Sequence, residues 1–243
     1  MRAAASRSEG LERLWKRYQP AWRRLFPQHL RRELELRRRF TLSPVDLSRV
    51  ADEVPPGKVP DCTTCRDRCC QGYENVVSLR LRDLALLLDK DRADLVTRAK
   101  PRFPEAMLEA RPSLRAWTET SLWRTLPVLK QLGPARVCAA YDRGRCRLHP
   151  HWPTSCARFP YAMNGSDRMV WGARCQNPES RADPERARGL AAAAAASWNR
   201  RIEDAVLLTH ARPELERLGF GPFLDDPRNP TWEEPSRLPL MQL

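Results

Sequence analysis

The sequence predicts a mainly α chain with a small β-hairpin, an α+β protein whose irregular central domain is stapled by metal on cysteines and flanked by helical extensions. Three observations lead there. Eight cysteines fall into two groups of four: Cys62, Cys65, Cys69 and Cys70 within nine residues, then Cys138, Cys146, Cys156 and Cys175. Apolar residues recur at helical spacing on both sides of these groups. Phe159, Tyr161 and Met163 alternate before Asn164-Gly165-Ser166-Asp167, and Met169 to Trp171 follow, which is the pattern of a hairpin with a four-residue loop.

Taken in order, Leu11, Leu14, Trp15 and Tyr18, then Trp22, Leu25 and Phe26, then Leu30 and Leu34 mark short helices separated by Pro20 and Pro27. These helices are expected to pack on the core. Pro55, Pro56, Gly57 and Pro60 read as an extended linker into the first cysteine group. Val76 and Val77 suggest a short strand, and Leu81, Leu84, Ala85 and Leu88 form one face of a helix that stops near Asp89. A second short helix is expected over Ala93 to Ala99. Further helices, broken by Pro104, Pro112 and Pro127, are expected between Pro101 and Pro134. Asp183 with Pro184 and Glu185 is a helix start, with an acceptor at the N-cap and Pro at the first helical position. The helix it opens runs through Ala191–Ala196 to about His210. From Arg212 onward the Pro-rich tail is expected to be irregular. The organisation is therefore a basic helical arm at 1–55, a cysteine-cluster domain at 56–182, and a C-terminal helix with its tail at 183–243.

The chain of 243 residues is long enough to bury a substantial core. Its 43 Lys and Arg against 30 Asp and Glu give +13, and residues 1–40 alone carry 12 basic and 4 acidic side chains. Such an arm would attract the phosphates of nucleic acid, an anionic membrane surface or an acidic protein partner. Nucleic acid is disfavoured because no recognition motif accompanies the charge, and Glu9, Glu12, Glu33 and Glu35 argue against a transit peptide. With no apolar leader and no run near the roughly 18 apolar residues of a membrane span, the expectation is a soluble cytoplasmic protein with reduced thiols.

The thiol spacing carries the chemistry. A C-x2-C pair puts two thiolates on one tight turn, close enough to share a metal and too close in sequence for a disulfide to gain much. Adjacent Cys69 and Cys70 project differently, so one can join Cys62 and Cys65 while the other serves a neighbouring centre or a hydrogen bond to it. In the hairpin, pairing Met163 with Arg168 sets Tyr161 against Val170 and Cys156 against Cys175, although Pro160 restricts such a ladder to an edge. A turn at Asp142, Arg143 and Gly144 would bring Cys138 and Cys146 to the same centre. Four thiolates suit a closed zinc site and equally an iron–sulfur cluster. His149 and His151 are substitute ligands of second rank. Glu74, Asp83 and Asp142 read as ion-pair partners in an Arg-rich chain and not as acids or bases.

These residues resemble the YkgJ-type cysteine-cluster family, a zinc- or iron-chelating domain with a CxxCxxxCC-like signature. The resemblance rests on Cys62-Thr-Thr-Cys65-Arg-Asp-Arg-Cys69-Cys70, the strand and helix at 76–89, and Cys138-x7-Cys146-x9-Cys156-Ala-Arg-Phe159-Pro160, and covers roughly 60–177. Where the family has an aromatic residue and an Arg-Pro pair between the second and third cysteines of the later group, this chain has His149 and Trp152-Pro153. The resemblance implies chelation of zinc or iron, tilted toward an iron–sulfur cluster, and one branch of the family resembles flagellin lysine N-methylases.

An enzyme reading has little of its own to stand on. The ten glycines include no G-x-G-x-x-G, and no C-x3-C-x2-C run is present. Three roles follow: a metal or iron–sulfur protein whose centre staples the domain, a cluster-dependent redox protein or methylase, and an adaptor docking an acidic partner through its basic arm.

Overall fold

The computed structural model describes residues 6–25, 58–60, 77–99, 126–163, 169–171 and 180–224. In chain order they form helices α1 (Arg7–Tyr18) and α2 (Trp22–Leu25), strand β1 (Lys58–Pro60), helix α3 (Leu81–Asp89), and strands β2 (Val96–Ala99) and β3 (Leu126–Leu129). Then come two minimal hairpins, β4–β5 (Gln131–Leu132, Val137–Cys138) and β6–β7 (Tyr141–Asp142, Arg145–Cys146), and helix α4 (Thr154–Ala157). The hairpin β8–β9 (Tyr161–Met163, Met169–Trp171), strand β10 (Ser180–Ala182) and helices α5 (Pro184–His210) and α6 (Arg212–Arg217) complete the order. The architecture is α+β: helices with five separate antiparallel strand pairs among the described residues, where one hairpin was expected.

Helix α1 begins at a capping box, in which the Ser6 hydroxyl accepts from Glu9 N and the Glu9 carboxylate accepts from Ser6 N, both at 3.2 Å. Its remaining amides find Asp89 at the far end of α3, which accepts from Arg7 N at 2.8 Å, Ser8 N at 3.0 Å and Ser8 Oγ at 2.7 Å. Burial alone would raise the Asp89 pKa, but these donors and Arg7 hold it below the ordinary carboxylate value. Leu11, Leu14 and Trp15 are buried as their spacing predicts. Gly10 allows the close approach behind them: a Cβ there would lie 2.5 Å from Leu218 Cδ2.

The main core gathers Leu11, Leu14 and Trp15 of α1, Leu81, Leu84 and Leu87 of α3, and Ile202, Val206 and Leu207 of α5, together with Leu215 and Phe220. A smaller core contains Val59, Tyr161, Ala187 and Ala194. Helix α5 serves both. Asp183 caps it through Arg186 N at 3.0 Å, Pro184 sits in its first turn, and at about 1.5 Å per residue its 27 residues extend about 40 Å. Its Ala-rich first half lets the short strands approach closely, and its second half fills the main core. Among the described residues no helix is long and apolar enough to cross a membrane.

Three expectations give way to tertiary structure. Ala93 to Ala99 is a 3-10 turn (Ala93–Leu95) followed by β2, because Val96 and Thr97 pair with Leu129 and Val128. Leu126–Leu129, expected within Pro-broken helices, is the strand β3, flanked on its other side by Val77–Leu79 through Leu129 N to Val77 O at 3.0 Å and Leu79 N to Pro127 O at 2.9 Å. The start of the tail is ordered as α6 and a 3-10 turn (Gly221–Phe223), because Pro213 is acceptable in a first helical turn while Leu215, Phe220 and Leu224 fill the core. The helices expected at 26–40 and 101–125, and the tail beyond 224, lie outside the described residues.

Candidate metal centre

Cys138 and Cys146 stand at the bases of consecutive hairpins. In β4–β5 Cys138 pairs with Gln131, and in β6–β7 Cys146 pairs with Tyr141. The expected turn is present: Arg143 and Gly144 take φ of 42° and 87°, the positive values of a two-residue hairpin loop. Between the hairpins, Ala139 and Ala140 are buried and anchored by Ala139 N to Lys130 O and Arg147 N to Ala140 O, each 2.8 Å. Both thiols are half-buried against the main core.

Cys156 sits on α4, which is held at two points. Thr154 donates to Asp83 Oδ1 through its N at 2.8 Å and its Oγ1 at 2.7 Å, and Ser155 Oγ donates to Ser78 O at 2.9 Å. Arg200 Nη1 of α5 adds a bond to Thr154 Oγ1 at 2.7 Å. The hairpin that follows has a register one residue away from the expected one. Tyr161 faces Trp171, Ala162 faces Val170 and Met163 faces Met169, with five connecting residues where four were expected. Cys156 itself lies on α4 and outside the ladder that was expected to set it against Cys175. Pro160 has no N–H to extend the ladder, the chain turns back through Tyr161 N to Arg158 O at 2.8 Å, and Tyr161 must present its ring to the smaller core, which a one-residue slip would reverse.

Cys62, Cys65, Cys69, Cys70 and Cys175 lie outside the described residues. What leads into them is described. Strands β1 and β10 pair antiparallel, with Lys58 opposite Ala182, Val59 opposite Arg181 and Pro60 opposite Ser180. Cys62 follows Pro60 by two residues and Cys175 precedes Ser180 by five. Both thus leave the same end of one strand pair, within a maximum reach of about 7 Å and about 18 Å respectively. Among the described residues no three His, Cys, Asp or Glu side chains gather closely enough to hold a metal ion. A centre using Cys138, Cys146 or Cys156 would draw the rest of its ligands from the other five thiols, a soft donor set that suits zinc and iron–sulfur clusters.

The second-rank residues are dispersed. His149 and His151 are exposed, His149 meeting the Trp152 ring edge-on at 4.8 Å between centroids. Asp142 is exposed on β6, and Glu74 is outside the described residues. Asp83, expected as an ion-pair partner, is only 4% exposed and accepts instead from Thr154 and from Arg80 N at 2.9 Å. Sequence reading missed its role in positioning the Cys156 helix.

It also missed a polar seam beside Asp83. Arg82 Nε lies 2.9 Å from both Glu203 oxygens and its Nη2 lies 2.8 Å from Glu12 Oε2, while Asp204 accepts from Arg80 Nη1 and Leu81 N, each at 3.3 Å. Burial pushes the Glu203 pKa up to about 7, outweighing the pull of Arg82, and likewise raises Asp204 against the pull of Arg80. The available signal was two adjacent acids set between Ile202 and Ala205-Val206 on a helix. No protein-family model, no curated protein and no solved structure matches the chain.

Proposed function

We propose that this is a cytoplasmic cysteine-cluster protein of the YkgJ type that chelates zinc or iron through Cys62, Cys65, Cys69, Cys70, Cys138, Cys146, Cys156 and Cys175. One observation carries the reading: the β1–β10 pair joins the start of the first thiol group to the end of the second at one end of a ladder. Cys62 and Cys175, far apart in sequence, are thereby tethered to one strand end by short lengths of chain. A bound ion or cluster would cross-link these segments, so that binding free energy acts as folding free energy. The anchored α4 and the two hairpins supply rigid footings for three of the thiols, which favours a centre that staples the domain over one that must rearrange.

The test is metal and acid-labile sulfide content with an absorption spectrum, on protein purified without oxygen, for the wild type and eight single Cys→Ser variants. Metal lost on replacing members of both groups supports the shared centre. Iron with sulfide identifies a cluster and makes redox and methyl-transfer assays the next step, whereas zinc without sulfide identifies a structural site. Protein without metal, or metal indifferent to all eight substitutions, would overturn the reading.

A further inference from the structure

The two hairpins that carry Cys138 and Cys146 at their bases carry arginines at their tips. Residues 131–152 include Arg136, Arg143, Arg145 and Arg147, a single acid, Asp142, and no lysine. All four arginines are exposed. The same segment holds Leu132 at 52% and Trp152 at 43% exposure, the two exposed large hydrophobic side chains among the described residues.

Arg136 and Arg143 take φ of 53° and 42°, in the left-handed region where a Cβ meets the following carbonyl and where Gly, Asn or Asp is the ordinary choice. The third such residue, Asp91, is of a type that tolerates this conformation. An arginine there needs compensation, and none is present within the described molecule. Arg136, Arg143 and Arg145 make no ion pair or side-chain hydrogen bond with any described residue. Backbone strain of this kind clusters at sites that meet a ligand or partner.

We propose that the tips of β4–β5 and β6–β7, with Leu132 and Trp152, form a docking surface for an acidic segment of a partner protein. This surface is built on a buried base: both hairpins spring from Ala139-Ala140, and Arg136 and Arg143 lie within about 14 Å and about 10 Å of Ala140 along the chain. Arg136, Arg143 and Arg145 against Asp142 leave the tips positive, which selects a negative partner. Arginine with exposed Trp and without lysine is the composition of a protein–protein contact, where Arg and aromatic side chains carry most of the binding energy.

The experiment uses the full chain in about 20 mM salt, where charge contacts are little screened. The probes are a fluorescent peptide of about eight glutamates around one leucine and an oligothymidine of equal charge, read by anisotropy. The variants are R136G/R143G, R145A, and R13A/R24A as a control that removes the same charge as the first from exposed positions of α1 and α2. The expected result is peptide binding tighter than oligothymidine binding, weakened about tenfold by R136G/R143G and about threefold by R145A, and changed less than about twofold by R13A/R24A. The melting temperature of R136G/R143G should be unchanged or a few degrees higher, because glycine relieves the left-handed strain. Equal weakening by the control, preference for oligothymidine, absence of peptide binding, or a lower melting temperature for R136G/R143G would each overturn the proposal.

Discussion

Replacing Asp83 by Ala removes a carboxylate that ties the first turn of α3 to the helix bearing Cys156. Three donors lose their acceptor: Arg80 N at 2.9 Å, Thr154 N at 2.8 Å and Thr154 Oγ1 at 2.7 Å. The Arg80 amide is half-buried at a helix start, so water can replace much of what it loses. The Thr154 donors cannot recover so easily, since Thr154 is 6% exposed and Asp83 4%. A hydrogen bond to a charged group contributes about 1.5–3 kcal/mol, and a buried donor left alone carries a further desolvation cost. Counting the two Thr154 bonds and discounting the third gives a loss of about 3–5 kcal/mol. Urea unfolding of Asp83→Ala, Thr154→Val and the double variant measures it, and the cycle should return a coupling of at least about 1 kcal/mol. Thr154→Val keeps the amide bond to Asp83 Oδ1 but loses both bonds of Oγ1, the one it donates to Asp83 and the one it accepts from Arg200. If the centre is built as proposed, Asp83→Ala also lowers metal content, because Cys156 loses its footing. A loss below about 1 kcal/mol, or additive single effects, would refute the view that Asp83 is the buried anchor of α4.

Four further outcomes are expected. Glu203 is pushed up to about 7 in the folded state, above its ordinary 4.5, so the native protein holds a proton that the unfolded chain releases first. Its contribution is therefore greatest below pH 4.5 and is lost as pH rises through 7, by up to about 3 kcal/mol. Glu203→Gln does not titrate, and the stability of the wild type relative to this variant should fall between pH 5 and pH 7.5 in urea titrations; parallel profiles would reject the assignment. Gly144→Ala places a Cβ at φ 87° in the β6–β7 turn and should cost about 1–2 kcal/mol by the same assay. Val59→Ala removes two methyl groups from a fully buried strand position and should cost about 2 kcal/mol, and should speed metal loss to a chelator more than an equally destabilising change in α1. Chelator treatment of the wild type should lower its melting temperature and increase protease cleavage near residues 58–60 and 180–182; an unchanged melting temperature would separate the metal from folding.

Much of the helical framework is legible in the amino-acid pattern alone. Leu81, Leu84 and Ala85 mark α3, and Asp183-Pro184 opens α5, because capping and a 3.6-residue stripe are local properties that the chain carries wherever it is placed. The turn at Arg143-Gly144 is legible for the same reason. Val96–Ala99 and Leu126–Leu129 are not, since each is a strand only in the presence of the other. The hairpin register escapes by one residue because it depends on which face of Tyr161 the smaller core accepts.

The candidate site divides along the same line. Thiol number and spacing are written in the sequence, and so is the chemistry they suit, because ligand type is a property of the side chain alone. The strand ends from which the chain leads to Cys62 and from Cys175 are brought together by β1 meeting β10, and Glu203 and Asp204 meet α3 through Arg82 and Leu81 only in the folded chain. A short pattern cannot encode such encounters, because the free energy that holds them comes from surfaces that exist only after the chain has closed on itself.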